Sequence, residues 1–237
     1  MRTTLVRGFF DLIWPPRCPV CDDWFEPPAG AWLEVRGRAV LHRSCRDRLG
    51  PATELSIAAA AGATPVFALL ADTPAWFAIL HRVKYEGEGA LLGPWIDSLV
   101  DAVAAGGGLP RGSVVVPVPD DPRRRRQRGF SPVRSIAGTL ARATGVRLRE
   151  DLVRRRFAAP SQTESPDDRA RRRNVDRVFG VGRLAEICAT DPIVLVDDQI
   201  TSGATVGVCA RLLRARGNPT AVVVLARARR APRLLQP

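Results

Sequence analysis

The chain has a single lysine, Lys84, and only two histidines, His42 and His81. No Gly-Lys-Ser or Gly-Lys-Thr triplet occurs, so a P-loop has no lysine with which to hold a nucleoside triphosphate. The shortage of histidine leaves little material for a Ser-His-Asp or Cys-His hydrolase, and His81 reads as structural. A membrane-spanning helix needs about 20 apolar residues. The uncharged stretch from Leu55 to Ala71 is shorter than that and is broken by Pro65 and by small and polar residues, so no membrane insertion is expected. Residues 1–14 do not make a secretory signal, because Arg7 and Asp11 interrupt the apolar stretch and no small-residue cleavage site follows. A cytoplasmic location is expected. An even cysteine framework is also missing. Three of the five cysteines lie within the first 45 residues, while Cys188 and Cys209 stand alone in apolar surroundings and read as buried thiols. That distribution favours a metal site over disulfides.

The 237 residues are 46% hydrophobic, enough for one sizeable core plus a small appendage. The formal charge of +12 and the pI near 11.1 are almost wholly arginine. Such a balance suits phosphorylated or polyanionic partners, but the accompanying Ala, Val, Gly and Pro bias is an equally plain source of arginine. Charge alone therefore does not imply nucleic acid. All five tryptophans, Trp14 to Trp95, precede residue 100, and valine, glycine and arginine dominate afterwards. This shift implies two unlike parts, with a boundary in the Gly50 to Pro65 region, giving a module over 1–55 and a domain over 56–237.

Val114 to Val118 is β-branched, brief and bounded by turn residues, which predicts a buried strand. Ser131-Pro132 has the form of a helix start, serine as N-cap and proline at the first helical position, with Val133, Ile136, Ala137 and Leu140 at helical spacing. Arg154 to Asn174 reads as a mobile loop. Ile193 to Val196 and Ala221 to Leu225 are expected as further buried strands, with a helix over Ala204 to Ala215 closed by Gly217. Alternation of strand and helix predicts an α/β fold: a mostly parallel sheet with helices on both faces.

The most informative segment runs from Val194-Leu195-Val196 through Asp197-Asp198-Gln199-Ile200 into Thr201-Ser202-Gly203-Ala204-Thr205. Backbone amides and hydroxyls of Thr201 to Thr205 suit a phosphate dianion, Gly203 permits close approach, and a following helix adds its positive dipole end. Two acids touching that phosphate would repel it, so Asp197 and Asp198 are expected to face hydroxyls or a cation about one sugar ring away. The same residue types would also serve an ordinary strand-to-helix connection, with Asp and Thr as caps. The segment resembles the phosphoribosyl pyrophosphate motif of type I phosphoribosyltransferases. That resemblance implies the fold of those enzymes, with a flexible hood loop. It also implies that Asp197 and Asp198 hold the ribose hydroxyls and that Thr201, Ser202, Gly203, Ala204 and Thr205 hold the 5-phosphate.

Further segments sharpen the resemblance to the ComF family of competence-associated, phosphoribosyltransferase-like proteins. They are Phe10 to Cys21, Lys84-Tyr85-Glu86-Gly87, Pro117-Val118-Pro119 through Arg128-Gly129-Phe130, and Gln162 to Asn174 with Phe179. The chain departs from the family at Asp120, where a hydrophobic residue is usual, at Ser131-Pro132, where Asn-Gln is usual, and at Gln199, where valine is common. The resemblance implies Mg²⁺-dependent transfer from phosphoribosyl pyrophosphate to an unidentified acceptor and a link to DNA uptake. Arg124 and Arg128, within the run Arg123 to Arg128, match the family's recurrent arginines and would sit in the loop that takes pyrophosphate. Lys84 is a further substrate contact or else a surface helix end. The alternative is a non-catalytic competence protein that binds the metabolite, single-stranded DNA or the competence machinery. For DNA, Trp14, Trp24, Phe25 and Trp32 would have to stack bases rather than form the module's core.

Cys18-Pro19-Val20-Cys21 and His42-Arg43-Ser44-Cys45 form two half-sites with the spacing of a tetrahedral zinc centre. With four protein ligands, Cys18, Cys21, His42 and Cys45, such a site is closed and structural. A segment this short needs the metal to fold. A Cys-x-x-Cys redox role lacks the flanking strand and helix it would require.

Overall fold

The computed structural model describes residues 18, 20–21, 23, 32–35, 38–47, 53–59, 62–71, 73–156, 178–183 and 187–227. The segments expected as the family opening (Phe10 to Arg17) and as the hood loop (Gln162 to Asn174) lie outside these residues, as do Trp14, Trp24, Phe25 and the side chain of Trp32.

The chain divides into two units, one of residues 1–50 with 72–94 and the other of residues 51–71 with 95–237. In the first, β1 (Trp32–Val35) and β2 (Arg38–His42) pair antiparallel, with Trp32 opposite His42. Helix α1 (Arg43–Asp47) follows at once, so the hairpin's last residue and the helix's first turn are neighbours. Helix α2 (Pro74–Tyr85) is capped by Thr73, whose Oγ1 accepts from the Trp76 N–H at 3.2 Å, and Pro74 occupies its first turn. Its inner face is the stripe Trp76, Ile79, Leu80 and Val83, all buried. Lys84 lies half-buried in its last turn.

The second unit is built on a six-stranded sheet of order β3-β4-β10-β9-β5-β6. Strands β3 (Thr53–Ala59) and β4 (Gly62–Ala71) make an antiparallel hairpin at one edge. This hairpin overlaps the Gly50 to Pro65 region that the sequence marks as a boundary. Helix α3 (Gly93–Ala105) precedes β5 (Val114–Pro117). Then come α4 (Pro122–Arg128), α5 (Pro132–Thr144) and the short β6 (Arg147–Leu148). A separate antiparallel ribbon joins β7 (Val153–Arg155) to β8 (Phe179–Val181). Arg154 and Arg155 thus belong to a strand, which corrects the loop expected from residue 154 onward; Val153 is buried and draws its neighbours into pairing. Strand β9 (Ile193–Ile200), helix α6 (Ala204–Arg214) and β10 (Thr220–Arg227) complete the unit. Every described pairing from β4 to β6 is parallel.

Both faces of this sheet are covered. Val114, Val116, Ile193, Leu195, Val222 and Val224 share one apolar cluster with Val206, Cys209, Ala210 and Leu213 of α6. The alternate residues Val115, Val194, Val196, Val223 and Leu225 are also buried and point the other way. Helix α5 packs against β5 and β9 and buries Val133, Ile136, Ala137 and Leu140, none of which belongs to the α6 cluster. Right-handed crossovers require this arrangement. From β5 the chain runs through α5 outward to β6, and from β9 it runs through α6 in the opposite direction to β10. The connections therefore diverge between β5 and β9, leaving a crevice outside the carboxyl ends of those two strands.

Leu195 is fully buried at the centre of the sheet. Leu195→Ala is expected to cost about 3 kcal/mol in denaturant unfolding. Val181→Ala, on an exposed strand position, should stay within about 0.5 kcal/mol of the parent.

Candidate active site and candidate metal centre

Strand β9 extends to Ile200, beyond the Val196 expected from its apolar run, so Asp197 and Asp198 sit on the strand itself. Alternation sends them to opposite faces. Asp197 continues the Ile193–Leu195 side toward α6, where its charge helps hold the Cys209 thiol up, after the larger effect of burial. Asp198 continues the Val194–Val196 side and is only 8% exposed. The Asp197 carboxylate also accepts from the Asp198 N–H at 2.9 Å.

The turn after β9 is shaped by Gly203. Its φ of 73° is a left-handed conformation that costs a side-chain-bearing residue far more than glycine, and it forms the N-cap of α6 without a side-chain capping bond. The helix therefore opens toward the crevice with first-turn amides that have no acceptor within the helix. Ser202 Oγ approaches the Ala204 N–H at 3.4 Å. Thr201 and Ser202 are exposed and Thr205 is half-buried.

The chain leaving β5 forms the other wall. The arginine run expected as a loop is instead helix α4. Asp121 caps it, accepting from the Arg123 N–H at 2.9 Å, Pro122 starts it, and Gly129 ends it at φ 75°. Helical spacing sorts the arginines: Arg124 and Arg128 are four apart and share a face. Arg128 is half-buried and contributes to the field at Asp120, whereas Arg123, Arg124, Arg125 and Arg126 are all exposed, Arg124 adding to the field at Arg155. Lys84 belongs to the other unit.

Asp120 is the residue of the site that sequence reasoning missed. Its carboxylate accepts from the hydroxyl of Ser131, the buried N-cap of α5, which itself accepts from the Arg134 N–H at 3.1 Å. Burial, followed by the charge of Asp198, pushes the Asp120 carboxyl up, against the pull of Ser131, Arg128 and Arg134. The available signal was a carboxylate directly after an apolar strand, but it is chemically meaningful only once β5 and β9 are known to be neighbours.

In the N-terminal unit, Cys18, Cys21, His42 and Cys45 are brought together, their donor atoms all within 4.8 Å of one another. Cys21 Sγ lies 3.3 Å from His42 Nδ1. A tetrahedral site with metal–sulfur bonds of about 2.3 Å has edges of about 3.8 Å, so the group fits such an ion with small adjustment. Burial would raise the Cys18 thiol, but N–H groups of His42, Cys21 and Val20 bring it down to about 7. Burial and the neighbouring Cys18 and Cys45 thiols push Cys21 up to about 12. Thiols competing for negative charge in this way are what a bound cation would relieve. Cys209 is buried as expected, but Cys188 is exposed. Its turn is held through the backbone, with Asn218 Nδ2 donating to the Cys188 carbonyl at 2.8 Å, which leaves the side chain facing solvent.

No family model matches the chain, and no curated protein matches it. Among solved structures it is similar to the glutamine phosphoribosylpyrophosphate amidotransferase of B. subtilis, complexed with ADP and GMP, at 21% identity and TM-score 0.37 over 55% of this chain and 26% of that one. It therefore spans only about a quarter of that protein's length. It is similar to the orotate phosphoribosyltransferase of Aeropyrum pernix at 18% identity and TM-score 0.37, over 78% of this chain and 80% of that one. Its likeness to the adenine phosphoribosyltransferase of Saccharomyces cerevisiae is 17% identical at TM-score 0.35, over 56% and 68% respectively.

A carboxyl held up in the folded state favours folding where it is protonated, and that contribution is lost as pH rises through its folded-state value. Asp120→Asn keeps an acceptor for Ser131 and removes the repulsion from Asp198. The variant is expected to melt above the parent at pH 7, with the difference shrinking toward pH of about 4, where the carboxyl is increasingly protonated in both folded and unfolded chains.

Proposed function

We propose that this chain is a phosphoribosyltransferase-type protein of the ComF family that binds phosphoribosyl pyrophosphate with Mg²⁺ in the β5–β9 crevice and transfers the phosphoribosyl group to an acceptor. The observation that carries this reading is the order of groups along one strand-to-helix connection: two carboxylates at the end of β9, then a hydroxyl-bearing turn with Gly203 left-handed, then an open helix N-terminus. In this reading Thr201 to Thr205 hold the 5-phosphate and Asp197 and Asp198 hold the ribose hydroxyls from its two sides. Arg124 and Arg128 face the pyrophosphate, and Lys84 makes a further substrate contact. We take residues 1–55 as the metal-binding module and 56–237 as the transferase-type domain, and a role in DNA uptake follows from the resemblance.

Transfer breaks the bond from ribose C1 to a pyrophosphate oxygen, the electron pair leaving with pyrophosphate, while C1 bonds the acceptor. Positive charge develops at the sugar and negative charge on the departing group. Asp197 and Asp198 stand on the sugar side and the α4 arginines on the leaving-group side. Carboxylates beside a phosphate site are the donor set that Mg²⁺ favours, and when bound the ion neutralises pyrophosphate charge. Residues Cys18, Cys21, His42 and Cys45 would hold a structural Zn²⁺.

Calorimetric titration of phosphoribosyl pyrophosphate with Mg²⁺ tests the first assignment. Exchanging both acids, Asp197→Asn with Asp198→Asn, should weaken binding about 100-fold in folded, zinc-loaded protein, the loss of two charge-assisted hydrogen bonds. Full affinity in the double variant would refute the ribose assignment. For the metal, elemental analysis of the purified chain should find one zinc, lost in Cys45→Ser, and a chelator should lower the unfolding midpoint of the parent. Parent protein free of zinc would overturn the structural-metal assignment.

A further inference from the structure

We propose that the group Cys18, Cys21, His42 and Cys45 is an oxidation-sensitive switch, in which a peroxide joins Cys21 to Cys18 as a disulfide and the group loses its hold on zinc; this rests on the structural-metal reading above. The four residues are unequal. Cys18 is fully buried and Cys45 is 4% exposed, whereas Cys21 and His42 are half-buried and form the side of the group that solvent reaches. Cys21 Sγ lies on that side, 3.3 Å from His42 Nδ1. Of the three sulfurs gathered here, Cys21 is therefore the one that a small oxidant meets first, and oxidation of cysteine follows exposure as well as thiolate character.

A second sulfur stands ready for the next step. All four donor atoms lie within 4.8 Å of one another, so both Cys18 and Cys45 are near Cys21. Cys18 shares its turn, which the Cys18 N–H closes by donating to the Asp23 carbonyl at 2.9 Å. Cys45 belongs to α1, on the other half-site, and a bridge to it would have to draw two separate segments together. The geometry thus favours Cys18 as the resolving residue. In the first step the Cys21 sulfur bonds one peroxide oxygen as the O–O bond breaks, and the other oxygen leaves as water. In the second, the Cys18 sulfur bonds the Cys21 sulfur and displaces the remaining oxygen as a second water. The two sulfurs give up two electrons and the peroxide takes them, with protons drawn from the thiols, or from solvent where zinc has displaced them.

A disulfide has no thiolate to offer a metal. Only His42 and Cys45 are then left, half of a tetrahedral set. A segment too short to bury a core of its own loses with the metal much of what folds it, so the oxidation state of one pair of sulfurs governs the order of the module. Reducing thiols reverse the bond and restore the site.

The test uses the full zinc-loaded chain carrying Cys188→Ser, which removes the other exposed thiol and leaves Cys209 buried. Hydrogen peroxide is added, zinc release is followed with a chromogenic chelator, and the sulfurs are mapped by differential alkylation and mass spectrometry. Release of one zinc per chain is expected, with a Cys18–Cys21 disulfide and recovery on adding dithiothreitol and zinc. Cys21→His keeps four ligands but removes the accessible sulfur, and should slow release at least about tenfold. If that variant does not hold zinc, the order of thiol loss in the parent decides, with Cys21 expected to react before Cys45. Release from Cys21→His as fast as from the parent, loss of Cys45 before Cys21, or zinc retained with all thiols intact would each overturn the proposal. A parent chain that takes up no zinc at all would instead count against the structural-metal reading.

Discussion

The arrangement of polar groups in this protein follows from one constraint: a parallel sheet buried on both faces has nowhere to place charge except beyond its strand ends. Residues 114–117 and 193–196 are buried on every position, so polar side chains begin only where β5 and β9 run out of the core. Because α5 and α6 carry the chain away in opposite directions, those two ends are where the connections diverge. Asp120, Asp121, Asp197, Asp198 and the 201–205 turn all gather there as a consequence of topology, without any need for proximity in sequence.

Within that space the pleat separates the chemistry. Consecutive acids would be redundant on a loop, but on a strand they address different faces. Asp197 is set toward α6 and Asp198 toward α5. The α5 side is acidic, with Asp120 held by Ser131 and the charge of Asp198 adding to the burial that pushes the Asp120 carboxyl up. The α6 side carries the guanidinium of Arg155 and the helix opening after Gly203. A ligand with anionic groups at two ends and hydroxyls between them matches this division, whereas a uniformly charged polymer would meet repulsion on the Asp120 side.

Much of this was legible in the chain's own pattern. Ser131-Pro132 announced α5 with its cap, and the valine runs announced the central strands, because local propensity and tertiary environment agree there. The metal-ligand group was legible from spacing alone, since two half-sites with the same gap rarely arise by chance in a chain this poor in histidine. What escaped depended on contacts distant in sequence. The 53–71 stretch was not read as strands, and it forms a hairpin whose second strand pairs with β10. Asp120 acquires its meaning from Asp198, and Arg155 from Asp121 and Phe179, relations that no window of sequence contains. Cys188 was misread because apolar neighbours in sequence do not guarantee apolar neighbours in space; its turn is tied down by backbone bonds to Asn218 and Asp191 instead.

The arginines show most clearly why composition and geometry must be weighed separately. A chain that uses arginine almost to the exclusion of lysine offers no contrast by which one could be singled out from sequence. Geometry supplies the contrast. On α4 the helical repeat puts Arg124 and Arg128 on one face, and only Arg128 is half-buried, Arg123 to Arg126 being exposed. On β7 the alternation exposes Arg154 and turns Arg155 inward, where burial is costly for a cation. The exposed arginines tolerate their charge at little expense, as solvated side chains do. An inward guanidinium persists only if its surroundings compensate the charge, and those surroundings are the acid that caps α4 and an aromatic face. Burial, rather than abundance, is the property that sets Arg128 and Arg155 apart from the exposed arginines of α4.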